Sequence, residues 1–170
     1  KKESKAKANL DRIDVNFVAS EFYVEAITSF AGEGSFWTDV KDKTGSVFTG
    51  ENKTQINYKI YIPSTQTLEI ENKYGNVFTS DYDGTISIKL SNGDIKSHAF
   101  YGKTSIDLQY GYANIKYIEK GDLNLNYHSE FNLDESKVLK IDSRSSRISI
   151  DKVDELVTNS NKDKYYLKEV

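Results

Sequence analysis

The sequence predicts an all-β protein built as a parallel β-solenoid, a single-stranded β-helix whose successive coils stack on one another. Three observations carry this expectation: a surplus of strand-favouring side chains, turns made almost without proline, and an apolar pattern recurring roughly every 18 residues. Among 170 residues there are 12 Tyr and 8 Phe but one proline, Pro63, and 10 Gly. Flat and β-branched side chains suit a pleated surface. With one proline, turning falls to Gly, Asn, Asp and Ser.

The recurrence is read after Pro63. Leu68-Glu69-Ile70 is followed by Val77, Ile86-Ser87-Ile88 by Ile95, and Ile106-Asp107-Leu108 by Ile115. Leu123-Asn124-Leu125 leads to Phe131, Leu139-Lys140-Ile141 to Ile148, and Leu156-Val157-Thr158 to Tyr165. The closing apolar residue falls nine positions after the first in five of the six units, and eight in the fourth. One unit has too little apolar surface for a core, whereas stacked units bury a continuous one. Equivalent residues of successive coils then stand about 4.8 Å apart. The expected inward ladders are Leu68–Ile86–Ile106–Leu123–Leu139–Leu156, Ile70–Ile88–Leu108–Leu125–Ile141 and Val77–Ile95–Ile115–Phe131–Ile148. An antiparallel meander or sandwich also alternates and turns often, but has no reason to keep one internal order and one offset over six units.

Before the repeats, residues 1–9 form a charged stretch, expected as a disordered leader. Residues 10–63 are expected as an N-terminal β region capping one end of the solenoid, and residues 64–170 as the solenoid, with repeats of about 16–20 residues. Within the N-terminal region, Ile13, Val15 and Phe17 alternate, as do Phe22, Val24 and Ala26. Ser35 to Val40 is expected as a strand, with a hairpin near Gly45 or Gly50. Ile56, Tyr58, Ile60 and Ile62 alternate and predict a strand that Pro63 ends.

Composition narrows the function. Hydrophobic residues are 37% and charged residues 29%, a folded rather than a disordered mixture. The net charge of -3 and the interleaved lysines and acids leave no basic stripe, so nucleic acid is not an expected partner. No apolar run approaches the roughly 20 residues of a membrane-spanning helix. Cysteine is absent, which excludes disulfides, thiolate metal ligands and cysteine nucleophiles. Methionine is absent too, as expected of a mature chain whose signal peptide has been removed.

Tyr58-Lys59-Ile60-Tyr61-Ile62-Pro63 and then Leu68-Glu69-Ile70-Glu71-Asn72-Lys73-Tyr74-Gly75-Asn76-Val77 carry a resemblance. An extended YxIxIP strand leading into LxIxNxxGxV repeats resembles the bacterial adhesin-like family of unknown function, over about residues 10–170. The resemblance implies a right-handed β-helix that is periplasmic, secreted or attached to the cell surface. It brings no catalytic residues.

Candidate chemistry is sparse. His98 and His128 fall in different coils, without HxxxH or HExxH spacing for zinc and without a GxSxG elbow for a hydrolase. Asp81, Asp83, Asp94, Asp107 and Asp122 invite comparison with the acids of polysaccharide-cleaving β-helices, yet read more simply as turn residues. A calcium site near Asp81-Tyr82-Asp83-Gly84 lacks the twelve-residue loop of an EF-hand. The aromatic residues are the better candidates. Tyr74, Tyr82, Tyr101, Tyr110, Tyr112, Tyr117 and Tyr127 could form an outward platform on which sugar rings stack, or could stack on one another and shield the solenoid's edges.

The expectation is therefore an extracytoplasmic adhesin or binding module, not an enzyme, with no cofactor and no metal. It would present lateral β faces to a carbohydrate or a cell-surface protein. A degenerate carbohydrate-active enzyme and a structural spacer are the alternatives. Leu156 to Val170 reads as the start of another coil, and a homodimer through residues 150–170 is expected because solenoid ends need covering.

Overall fold

The computed structural model describes residues 57–170, together with the backbones of two earlier strands. These are β1 (Ile13–Ala19) and β2 (Val24–Phe30), which pair antiparallel with Ile13 opposite Phe30. The expected strand at 35–40 and the hairpin near Gly45 or Gly50 lie outside the described residues, as does most of the region expected to cap the solenoid. The chain divides into two units, Lys1–Ile60 and Tyr61–Val170.

The second unit is a parallel β-solenoid of about 6 turns. Its strands are β3 (Leu68–Asn72), β4 (Val77–Thr79), β5 (Ile86–Ser91), β6 (Asp94–Gln109), β7 (Tyr112–Asn126), β8 (Glu130–Arg144), β9 (Arg147–Asn161) and β10 (Lys164–Glu169). Every pairing among β3 to β10 is parallel, and the long strands follow one another in the order β6-β7-β8-β9-β10. No helix among the described residues is long and apolar enough to cross a membrane.

Six inward ladders make the core. One side of each coil contributes Leu68–Ile86–Thr104–Gly121–Leu139–Leu156, then Ile70–Ile88–Ile106–Leu123–Ile141–Thr158, then Asn72–Leu90–Leu108–Leu125–Ser143–Ser160. The other side contributes Val77–Ile95–Ala113–Phe131–Ile148–Tyr165, then Thr79–Ser97–Ile115–Leu133–Ile150–Leu167, then Tyr82–Phe100–Ile118–Ser136–Val153. The apolar members of the middle coils are almost completely buried in one cluster. Polar members are accommodated locally. Thr79 donates to the Ser97 hydroxyl at 2.8 Å and Thr104 to the Gly102 carbonyl at 3.3 Å. The buried Ser136 hydroxyl has no hydrogen-bond partner among the described residues.

The expected ladders need correcting. Ile106 pairs in register with Ile88, not Ile86, and the third coil meets Ile86 with Thr104. Leu123 pairs with Ile141, while Leu139 lies beside Gly121. Ala113, not Ile115, sits beside Ile95. Each slip is two residues. Strand side chains alternate with period two, so a two-residue slip leaves every residue on its correct face. Ile106, Leu108, Ile115, Leu123 and Leu125 are accordingly all buried.

The strand expected over Ile56 to Ile62 is a second correction. Residues 57–63 are irregular and exposed. Alternation of apolar residues is therefore not sufficient for a strand, and the first strand of the solenoid among the described residues is β3. The C-terminal expectation of a further coil holds in part: Lys164, Tyr165, Tyr166 and Leu167 of β10 pair with Arg147, Ile148, Ser149 and Ile150 of β9.

Candidate functional site

The coil corners decide where exposed side chains stand. Two-residue corners join β5 to β6 (Asn92-Gly93), β6 to β7 (Tyr110-Gly111), β8 to β9 (Ser145-Ser146) and β9 to β10 (Lys162-Asp163). The first residue of each has a left-handed backbone, with φ of 57°, 52°, 55° and 62°. The second stands against the coil below: a Cβ at Gly93 would run into the Gly75 carbonyl, which explains glycine there. Where serine takes this place, its hydroxyl bonds backbone. Ser129 donates to the carbonyls of Leu108 at 3.0 Å and Asn126 at 2.6 Å, and Ser146 to those of Leu125 and Arg144.

Asp163 takes the same place in the last corner. Its carboxylate accepts hydrogen bonds from the Ser143 hydroxyl at 2.9 Å and the Ser160 hydroxyl at 2.7 Å. The backbone N–H groups of Ser146 and Asn161 add bonds of 2.7 and 2.8 Å. Partial burial by itself would raise its pKa, but the four donors together hold it below the ordinary carboxylate value.

The corner joining β7 to β8 is different. It spans three residues, Tyr127-His128-Ser129, and both Tyr127 and His128 are left-handed, with φ of 58° and 64°. Tyr127 follows Asn126 as Tyr110 follows its partner Gln109, so Tyr127 keeps the first corner place, His128 is the additional residue, and the Tyr127 ring stacks on that of Tyr110 from the coil below. The centroids are 5.0 Å apart and the planes 12° from parallel. Both tyrosines are well exposed, Tyr110 at 55% and Tyr127 at 45%.

A row of planar polar side chains leads away from this stack on the outer surface of β6 and β7. Asp107 accepts from the Gln109 amide at 3.2 Å and from the Asn124 amide at 3.3 Å. Asn126 donates to Asn124 at 2.7 Å. Strand pairing sets Asp107 beside Asn124 and Gln109 beside Asn126. An open depression continues the row toward β5 and β3, lined by Glu71, Lys89, Asp107 and Gln109.

The seven tyrosines therefore do not form one platform. Tyr82 is 5% exposed, part of the core, and donates to the Gln66 carbonyl at 2.7 Å, so its place in an outward platform is a correction. Its row continues with Phe100 and Ile118, which fixes it inward. Tyr110 and Tyr127 share one corner, and Tyr74 is exposed at the corresponding corner of the first coil. Tyr112 stands just past that corner, its hydroxyl accepting from Asn114 at 3.2 Å and Asn132 at 3.0 Å. Tyr101 and Tyr117 lie at the opposite bend, with ring centroids 5.5 Å apart and planes tilted by 42°.

At that bend Tyr117 donates to the Glu119 carboxylate, which also accepts from Lys137 at 2.7 Å. The bond to Glu119, then burial, raises the Tyr117 pKa. The bonds from Lys137 and then Tyr117 lower that of Glu119, and Glu119 in turn raises that of Lys137. Glu119 thus bridges the neutral Tyr117 and the cationic Lys137, and the Lys137 bond joins neighbouring coils.

Of the acids, Asp83 accepts from the Ser64 hydroxyl at 2.6 Å, as a turn residue would. Asp81 meets His98 at 2.6 Å on the surface. No group of three or more His, Asp or Glu side chains suited to a metal ion occurs among the described residues. The sequence offered one signal for the Tyr110–Tyr127 corner that period counting passed over: the fourth unit's departure from the nine-residue offset. No family model matches the sequence, and neither a curated protein nor a solved structure matches it.

Proposed function

We propose that this chain is an extracytoplasmic binding module of the adhesin-like type, with a lateral face of the solenoid taking a carbohydrate or protein partner. The observation that carries the reading is the outer surface of β6 and β7. There Asp107, Gln109, Asn124 and Asn126 are held in register by strand pairing and by one another. Planar groups fixed before a ligand arrives lose little side-chain entropy on binding, which is how a rigid sheet face becomes a recognition surface. The extracytoplasmic placement and the adhesin-like assignment rest on the resemblance at residues 58–77. A homodimer through residues 150–170 belongs to the same proposal.

The test is direct binding of the purified chain to a glycan array and to a panel of purified extracellular proteins. Binding to at least one class, weakened by Asp107→Ala together with Asn124→Ala, is the expected result. No binding on either, with the chain folded, would overturn the module reading and leave the spacer. Sedimentation at rising concentration checks the dimer, and a monomer throughout would remove it.

A further inference from the structure

Tyr110 and Tyr127 hold the same first corner place in successive coils, directly after the partnered strand residues Gln109 and Asn126. Their exposed rings stack there, and His128 is the additional residue that lengthens the upper corner to three. Immediately inward on the same two strands lie Gln109 and Asn126, then Asp107 and Asn124.

We infer that Tyr110 and Tyr127, with Asp107, Gln109, Asn124 and Asn126, form a binding site for a neutral hexose-containing glycan; this rests on the binding-module reading and names its ligand class. The chemistry of the two halves matches the two surfaces of a pyranose. Its C–H face is apolar and electropositive and packs on an aromatic ring. Its vicinal hydroxyls are spaced to exchange paired hydrogen bonds with carboxylate and amide groups. The four polar side chains supply both acceptors and donors, since each amide keeps a second N–H beyond the bond it gives within the row. The Asp107 carboxylate at the centre favours neutral sugars over acidic ones. The depression that runs on from Asp107 and Gln109 to Lys89 and Glu71 gives a longer glycan its direction, across the strands and along the stacking of the coils.

The experiment uses the whole chain. A glycan array selects a neutral oligosaccharide, and that oligosaccharide is titrated against the parent and variants. Tyr110→Ala, Tyr127→Ala and Asp107→Ala are each expected to weaken binding about tenfold or more, while Tyr101→Ala at the opposite bend leaves it unchanged. The decisive variant deletes Tyr127, restoring a two-residue corner. It is expected to fold with an undiminished melting temperature and to lose binding. Full affinity in the deletion variant would overturn the site. An array with no neutral-glycan binding would overturn the ligand class. If the parent instead binds a purified glycoprotein equally before and after its glycans are removed, the glycan inference fails while the binding-module reading stands.

Discussion

Leu108→Ala tests the interior where it is densest. Leu108 is fully buried between Leu90 and Leu125 in its ladder, and one of its methyl groups fills the space beside Gly111. Truncation removes three carbons, a transfer loss of about 2.4 kcal/mol at about 0.8 kcal/mol per methylene. The coils above and below are hydrogen-bonded along both edges of the strand and cannot close the gap, so a cavity cost adds to this. Buried leucines truncated to alanine lose about 2.7–5.0 kcal/mol, and the upper half of that range is expected here. Against a typical domain stability of about 5–15 kcal/mol this is a large fraction. Urea unfolding followed by circular dichroism at 25 °C reads it. With a slope of about 2 kcal/mol/M, the midpoint falls by about 2 M at unchanged slope. Val157→Ala on β9, where the side chain is 64% exposed, shifts it by less than about 0.5 kcal/mol. Equal midpoints for the two variants would refute the inward assignment of Leu108 and, with it, the ladder.

Other consequences follow from register, corner chemistry and the one orphaned hydroxyl. Ser87 and Ser105 are paired neighbours on β5 and β6, so Ser87→Cys with Ser105→Cys should oxidise to a disulfide in this cysteine-free chain, whereas Ser87→Cys with Asp107→Cys should not; mass spectrometry under mild oxidation decides, and the reverse outcome would restore the slipped register. Asp163→Ala should cost about 1–3 kcal/mol by stranding the donors of Ser143, Ser146, Ser160 and Asn161. Because the folded-state pKa of Asp163 is depressed, its contribution is fully present above the ordinary Asp value of 3.8 and is lost as pH falls through the lower folded value. Melting temperature against pH should therefore show a shallower acid limb in Asp163→Ala, and identical limbs would contradict the hydrogen-bond assignment. Ser136→Ala should leave stability unchanged or raise it by up to about 1 kcal/mol, since it removes a buried hydroxyl without a partner; a loss above 1 kcal/mol in urea would show that the hydroxyl is satisfied.

The fold class was legible because period-two alternation and a coil-length recurrence are both written in apolar residues. The register was not, and the ladders show why. A coil offers three inward positions on the side that carries Leu68, and two apolar residues are enough to seal it. The first coil fills the first two with Leu68 and Ile70 and leaves Asn72 in the third. The third coil places Thr104 first and fills the other two with Ile106 and Leu108, and the fourth does the same after Gly121. The fifth returns to Leu139 and Ile141 and ends on Ser143. An apolar pair thus slides by two residues between coils while the backbone stays in step, and a pattern search follows the pair. The candidate site was half legible: tyrosine content marked Tyr110 and Tyr127, but Tyr82 reads the same in sequence and only its row with Phe100 and Ile118 turns it inward. Asp107 stood out only as one of several acids that read as turn residues, although it lies within β6, and Gln109, Asn124 and Asn126 were hidden because alternate polar residues on a strand announce an outer face and nothing about its use.

The anomaly in the fourth unit now has a cause. Its offset of eight combined two departures, an anchor displaced by two from Gly121 to Leu123 and a corner lengthened by one at Tyr127. Measured from the true ladder position at Gly121, Phe131 lies ten residues on, where the other coils keep nine. The opposite bend changes separately: two residues, Tyr101 and Gly102, separate Phe100 from Lys103 in β6, whereas a single residue stands there in β7, β8 and β9, namely Glu119, Lys137 and Asp154. The shorter bend thus persists while the longer corner at Tyr127 occurs once, and strand pairing on each side keeps its own register. Exposed tyrosines stand at both places, Tyr101 at one and Tyr127 at the other. Only at Tyr127 does the ring stack on its neighbour within reach of a polar row on the same two strands. A solenoid can keep such local irregularities at small cost, because each coil contacts only its neighbours. That locality would let the glycan site proposed at one corner vary without disturbing the rest of the stack.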